Sequence, residues 1–190
     1  MPREDQPQRG KVVDGMGPLI DDARWVWFDV TPAFVDERAV WLCEARDLHG
    51  SSLRFFEIAG SLIRFSRYNY PLASVAFFHA ILGLEKALRI HFGDEDKSLR
   101  NLLTKAHEDG TLSKAELENL PTFSEPFARS ISEIGVNKAA TRLDTLVLIV
   151  PELRNQYVHG TYLLAPDYLH LAFQLRQMAD TLNTKSTRLR

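Results

Sequence analysis

The stretch that decides the fold is Pro71–Asp94, PLASVAFFHAILGLEKALRIHFGD. Leu72, Val75, Phe77, Phe78, Ile81, Leu84 and Leu88 recur at helical spacing and fall on most faces of the helix they define. A helix that is apolar nearly all round must be surrounded by other elements, so this one is expected at the centre of a bundle. Proline is tolerated in the first turn, and the residue before it leaves the helical region, so Tyr70-Pro71 ends one helix and opens the next. Gly93 with Asp94 supplies the stop. Ser74, His79, Gly83, Glu85 and Lys86 interrupt the run too often for a membrane span.

Outward from this element the helical period persists. Upstream, Leu53, Phe56, Ala59, Ile63 and Phe65 predict a helix from Ser52, apart from the close final pair, and Gly50-Ser51-Ser52 reads as the break before it. Thr31-Pro32 predicts an N-cap with proline at the first helical position, opening a helix to about Asp47 that brings Val40, Trp41 and Glu44 together. Trp25–Val30 reads as a short strand or an extended aromatic clip. Met1 to about Asp22 is rich in proline and glycine and reads as a loosely docked arm. Downstream, Lys97–Asp109 predicts an amphipathic helix ended by Gly110, and Ser113 with Glu116 forms a capping-box pattern. Pro121 to about Glu133 fits no single pattern. Asn137–Val150 predicts a helix with Ala140, Leu143, Val147 and Val150 on one side, closed by Pro151. Pro166-Asp167 opens a last helix carrying Leu169, Phe173, Arg176 and Leu182, and the basic tail from Asn183 is expected to fray. The fold class is therefore all-α, an antiparallel bundle of four to six helices with an aromatic N-terminal extension. Residues 1–45 form an arm and capping segment, 46–184 the helical domain and 185–190 a basic tail.

Composition limits function. The 190 residues carry 23 basic and 25 acidic side chains, a net charge of −2, so bulk charge does not hold nucleic acid and any such contact needs a local patch. The single Cys43 forms no internal disulfide and excludes a cysteine zinc cluster; with no secretory pattern in Met1–Lys11, a cytoplasmic chain is expected. P-loop, dinucleotide-binding, metalloprotease and nucleophile-elbow motifs are absent. Asp94-Glu95-Asp96 reads as solvated surface rather than a metal site, and neither metal nor cofactor is expected.

Imidazole moves protons near neutral pH, which directs attention to the six histidines. Two follow an arginine at a spacing of Arg-x(4 to 6)-His: Arg100-Asn101 before His107, and Arg154-Asn155 before His159. Sixteen arginines and six histidines give roughly one or two such matches by chance, so context decides. Arg100 and His107 share one face of a helix and read as a solvated stripe. Asn155 and His159 lie within about 40° on a helix, with Arg154 about 140° from His159. Gly160 follows, which places a guanidinium, an amide and an imidazole around one helix end. The same residues also fit a structural reading, with Arg154 on a neighbour's carbonyls and His159 against the helix dipole.

Leu153-Arg154-Asn155-x-x-x-His159-Gly160, set before the final helix, resembles the signature of the HEPN superfamily. Gly83-Leu84-Glu85-Lys86-Ala87-Leu88-Arg89 resembles that family's second helix, and Leu99–Ala106 with Gly110-Thr111-Leu112 the segment after it. The likeness covers roughly Ser52–Leu182. It implies a small helical domain, homodimeric, acting as a metal-independent endoribonuclease of a toxin–antitoxin or phage-defence system. Arg154, His159 and Asn155 take the catalytic positions, and Glu85, Tyr157 and Tyr162 the substrate-binding ones. RNA is the implied substrate, with an antitoxin or larger defence-system partner. The chain departs from the toxin pattern where a modifiable tyrosine stands two residues after the histidine: Thr161 is there, and Tyr162 follows. Two alternatives stand beside this reading. One is a non-catalytic HEPN module that binds nucleotides or RNA or serves in assembly. The other is a helical interaction protein docking through Trp25, Trp27, Phe28 and Trp41, although a clip over the bundle's own core is the simpler role for those aromatics.

Overall fold

The computed structural model describes residues 20–27, 30–44, 48–112, 142–158 and 168–188. These form α1 (Arg24–Trp27), α2 (Pro32–Cys43), α3 (Gly50–Ser66), α4 (Leu72–Phe92), α5 (Leu99–Glu108), α6 (Arg142–Val158) and α7 (Tyr168–Arg188), and no strand occurs among them. The protein is an all-α helical bundle. The capping-box segment at Ser113, the Pro121–Glu133 stretch, His159 and Tyr162 lie outside the described residues.

α4 is the central helix. Eleven of its residues are buried, including Phe77, Ile81, Leu84 and Leu88. Its two broadest neighbours are α3 and α7. It ends on Gly93 at φ 63°, a left-handed conformation that a side chain would oppose. Contacts fix the directions. Arg154 meets Glu85 and Tyr157 meets Phe78, so α6 runs antiparallel to α4. Phe77 stacks on Tyr168, and the His91 ring donates to the Leu182 carbonyl 3.1 Å away, so α7 runs parallel to α4. An up-and-down succession gives this result when the second and last helices of the set become neighbours.

α2 begins as the sequence predicts, with the Thr31 hydroxyl accepting from the Phe34 N–H at 3.2 Å and Pro32 at the first position. It stops at Cys43 rather than about Asp47. At this end the Leu42 and Glu44 carbonyls accept from the Arg176 guanidinium. α3 starts two residues earlier than expected: the His49 ring accepts from the Ser51 N–H, so Gly50 is its first residue instead of a break. α2 and α3 cross at Gly60. A Cβ there would overlap Cys43 Sγ and come within 2.6 Å of the Ala39 carbonyl oxygen.

Three further expectations change. Arg24–Trp27 is a turn of helix, not a strand. It acts as a clip: Trp25 is buried, donates to the Ser66 carbonyl at 2.6 Å and meets Tyr70 edge-on at 4.6 Å. Pro151 does not close a helix but lies buried inside α6. A proline interior to a helix costs about 3 kcal/mol. Here Leu146, Ile149 and Val150 before it are buried, and Leu153 after it packs on the same core, so tertiary packing holds both halves. The last helix does not fray at Asn183 but continues to Arg188.

Candidate functional site

The continuity of α6 through Pro151 sets the site, because it carries Arg154 and Asn155 on a rigid helix alongside α4. Glu85 is a carboxylate on the central helix α4, with its side chain 11% exposed. One turn on, Arg89 donates to Glu85 Oε1 at 2.7 Å. From the other side Arg154 Nε approaches Glu85 Oε2 to 3.6 Å, beyond hydrogen-bonding range. Both facing atoms are shielded from solvent, and neither has a hydrogen-bond partner. Arg154 is thus held by charge without being consumed by a hydrogen bond.

These residues line one wall of a cleft of 360 Å³ between α4, the start of α5 and α6. Its lining includes Glu85, Arg89, Asp96, Lys97, Ser98, Arg100, Pro151, Arg154 and Asn155. Four cationic side chains against two carboxylates make it a basic pocket on a chain whose net charge is −2. The floor of the loop is built by Asp94, whose Oδ1 accepts from the Asp96 and Lys97 N–H groups. Its Oδ2 pairs with Lys97 Nζ at 2.8 Å, and hydrogen bonding to Lys97 holds its carboxyl below the usual range. Lys86 pairs with Glu95, and Arg89 also donates to the Glu95 carbonyl. The acidic run therefore serves as loop architecture. No group of three or more metal-ligating side chains comes together among the described residues.

The structure brings Arg154, Asn155 and Glu85 together. It does not bring Tyr157 to them: that ring stacks on Phe78 at 4.4 Å, with 14° between planes, and is absent from the cleft lining. Arg89, Lys97, Ser98 and Arg100 also reach the cleft but were not singled out from sequence as its residues. The signal for Arg89 was present, one helical turn after Glu85. Arg100 read as part of a solvated stripe because the side of α5 facing α6 depends on a tertiary contact. Of the docking aromatics, Trp25 is buried and Trp41 packs against the core, its ring tilted 30° to that of Phe173 at 3.9 Å, so both pack inward. No helix among the described residues is long and apolar enough to cross a membrane. The chain matches no protein-family model, no curated protein and no solved structure.

Proposed function

We propose that this chain is a metal-independent endoribonuclease of the HEPN type, with Arg154 and His159 as its catalytic residues and Asn155 beside them. The observation that carries the reading is the placement of Arg154. It stands in a basic cleft, braced by a buried carboxylate, on the helix that leads to His159. A guanidinium so placed suits the charge that gathers on phosphate oxygens during transesterification.

RNA supplies its own nucleophile. A base takes the proton from the ribose 2′-hydroxyl, and O2′ forms a bond to phosphorus. The P–O5′ bond then breaks, and an acid returns a proton to O5′. The products are a 2′,3′-cyclic phosphate and a 5′-hydroxyl. One imidazole cannot be base and acid in the same step, so a two-fold homodimer that places two Arg154/His159 pairs across one groove completes the chemistry. An antitoxin or defence-system partner would restrain such an activity in the cell that makes it.

The test is incubation of the wild-type chain and His159→Ala with total RNA, followed by end-group analysis. The expected result is cyclic-phosphate ends from the wild type only, insensitive to EDTA. Full cleavage by His159→Ala, or abolition by EDTA, overturns the mechanism. RNA binding without cleavage by a dimeric wild type would support the non-catalytic HEPN reading.

A further inference from the structure

The helix α3 carries more apolar surface than the bundle covers. Its buried side, with Phe56, Ala59 and Ile63, is set against α4 and α2. A second row runs beside that side: Phe55, Ile58, Leu62 and Phe65, spaced three, four and three residues apart, as the a and d positions of a heptad are. At about 100° per residue the four fall within about 80° of one another. Phe65 is 56% exposed and Ile58 37%. Phe55 and Leu62 are half-buried, Phe55 beside the His79 ring at 6.5 Å and Leu62 against the core. His79 extends the row onto α4, where Val75 and Leu82, at helical spacing from it, are also half-buried. Burial pushes the His79 imidazole toward its neutral form, so this edge of the row stays uncharged.

The row reads the same from either end. Phe55 and Phe65 lie five residues either side of the level of Gly60, and Ile58 and Leu62 two residues either side. A second α3 laid antiparallel about a two-fold axis at that level sets Phe55 against Phe65 of the other copy and Ile58 against its Leu62. An isologous interface requires such self-complementarity, whereas a different protein would not impose it. The charges obey the same symmetry. Exposed Glu57 of one copy comes level, within one residue, with exposed Arg64 of the other, so opposite charges share each flank of the pair. Arg67, at the end of α3, is turned away to Asp21 and Asp36. We propose that Phe55, Ile58, Leu62 and Phe65 form the seam of a homodimer, paired antiparallel with the same row of a second copy of this chain. This goes beyond the nuclease reading and does not depend on it: it names the face by which two copies meet, not what the pair does.

Sedimentation of the full chain at micromolar concentration tests the seam. The wild type is expected to run as a dimer. Phe65→Glu changes the most exposed of the four residues, which the pair contains twice. It should raise the dissociation constant at least about a hundredfold and leave helical content unchanged. Leu148→Glu, at a residue 45% exposed on α6 and outside the row, should leave the dimer intact. A mixture reads the register. Phe55→Glu and Phe65→Lys should each be monomeric alone and recover dimer mass when combined, because the antiparallel seam sets position 55 of one chain against position 65 of the other. Should Phe55→Glu fail to fold, Ile58→Glu with Leu62→Lys makes the same test at the inner positions. A monomeric wild type overturns the seam and leaves the row to a different partner, while end-group analysis of RNA still judges Arg154 and His159 separately. A dimer that Phe65→Glu leaves intact, or that Leu148→Glu disrupts equally, overturns the seam as well, and so does a mixture that stays monomeric.

Discussion

Arg176 and Arg154 both meet the interior of this bundle, and they are held in opposite ways. Arg176 is fully buried on α7. Its Nε donates to Asp180 at 3.0 Å, and its two terminal nitrogens donate to the Leu42 and Glu44 carbonyls at 2.6 and 2.8 Å. The guanidinium also lies 5.3 Å from the Phe56 ring centroid and 5.7 Å from that of Trp41. It closes the C-terminal end of α2, where unsatisfied carbonyls accumulate, and fastens α2 to α7. Arg154 is 36% exposed and has a carboxylate 3.6 Å away, with no hydrogen bond between the facing atoms. A buried cation with a hydrogen bond from each of its three nitrogens is a fastening. A cation kept by charge at the wall of an open cleft retains donors for something else. The difference predicts that one residue carries stability and the other activity.

The largest expected effect tests the second half of that statement. Arg154→Ala should lower RNA cleavage by at least about a thousandfold, the scale of losing a charge-stabilising donor at a reacting phosphate. It should also leave the thermal midpoint almost unchanged, because Glu85 keeps its 2.7 Å bond to Arg89 and no buried carboxylate is orphaned. A midpoint drop as large as the one expected for Arg176 would break the contrast. Arg176→Met tests the first half. It fills similar space without donors, so the Leu42 and Glu44 carbonyls and Asp180 lose their bonds to it. About 3 kcal/mol of stability should be lost, a fall in midpoint of about 6–12 °C in a chain of this size. Cleavage by the remaining folded fraction should be normal.

Sequence made one of these arginines visible and hid the other for physical reasons. Arg154 stood beside asparagine in a motif with a spaced histidine, a pattern that needs no fold to be noticed. Arg176 was only one of the residues carried by the last helix, with no role attached, since its partners are backbone carbonyls 132 and 134 positions away in the chain. Carbonyls carry no sequence signal. The central helix was legible from Pro71 to Gly93 because period, cap and stop agree there. Pro151 misled because local propensity disfavours a proline inside a helix, while the buried residues on both sides of it favour continuation. The cleft was half legible. Glu85 and Arg154–Asn155 belonged to recognisable text, but Arg100 reaches the site only through the way α5 packs beside α6.

The next prediction concerns how tightly the fastened end is built. α2 must lie against α3 closely enough for Arg176 to reach its last carbonyls, and Gly60 provides that approach. Gly60→Ala places a methyl against Cys43 Sγ and the Ala39 carbonyl, and backbone cannot yield as a flexible side chain does. The expected cost is about 2 kcal/mol, in the range of overpacking. Gly50→Ala, where a Cβ meets nothing within 4 Å, should be neutral or slightly stabilising through the unfolded state. Equal midpoints for the two variants would show that α2 is more loosely seated than Arg176 implies.

The smallest effect separates an electrostatic fastening from a packed one by its pH dependence. The segment before α1 is tied to the α3–α4 corner by Asp22. Its carboxylate accepts from the Arg24 guanidinium, from the Arg24 N–H at 3.0 Å and from the Tyr70 N–H at 2.9 Å. The Arg24 side chain, assisted by those backbone donors, holds the Asp22 carboxyl well below its ordinary 3.8. A carboxyl depressed in the folded state binds its proton more readily when unfolded. Its contribution to stability is therefore complete above about pH 4 and declines as the pH falls below that. Arg24 is itself 36% exposed, so water screens that pair and the backbone bonds carry most of the contribution. Asp22→Asn should cost about 1 kcal/mol at neutral pH. The gap between wild type and variant should narrow steadily in acid, as protonation of the wild type removes the charge that the substitution has already removed. Thermal melts at neutral and strongly acidic pH measure that gap directly. A pH-independent gap at Asp22 would mean that its role is shape rather than charge.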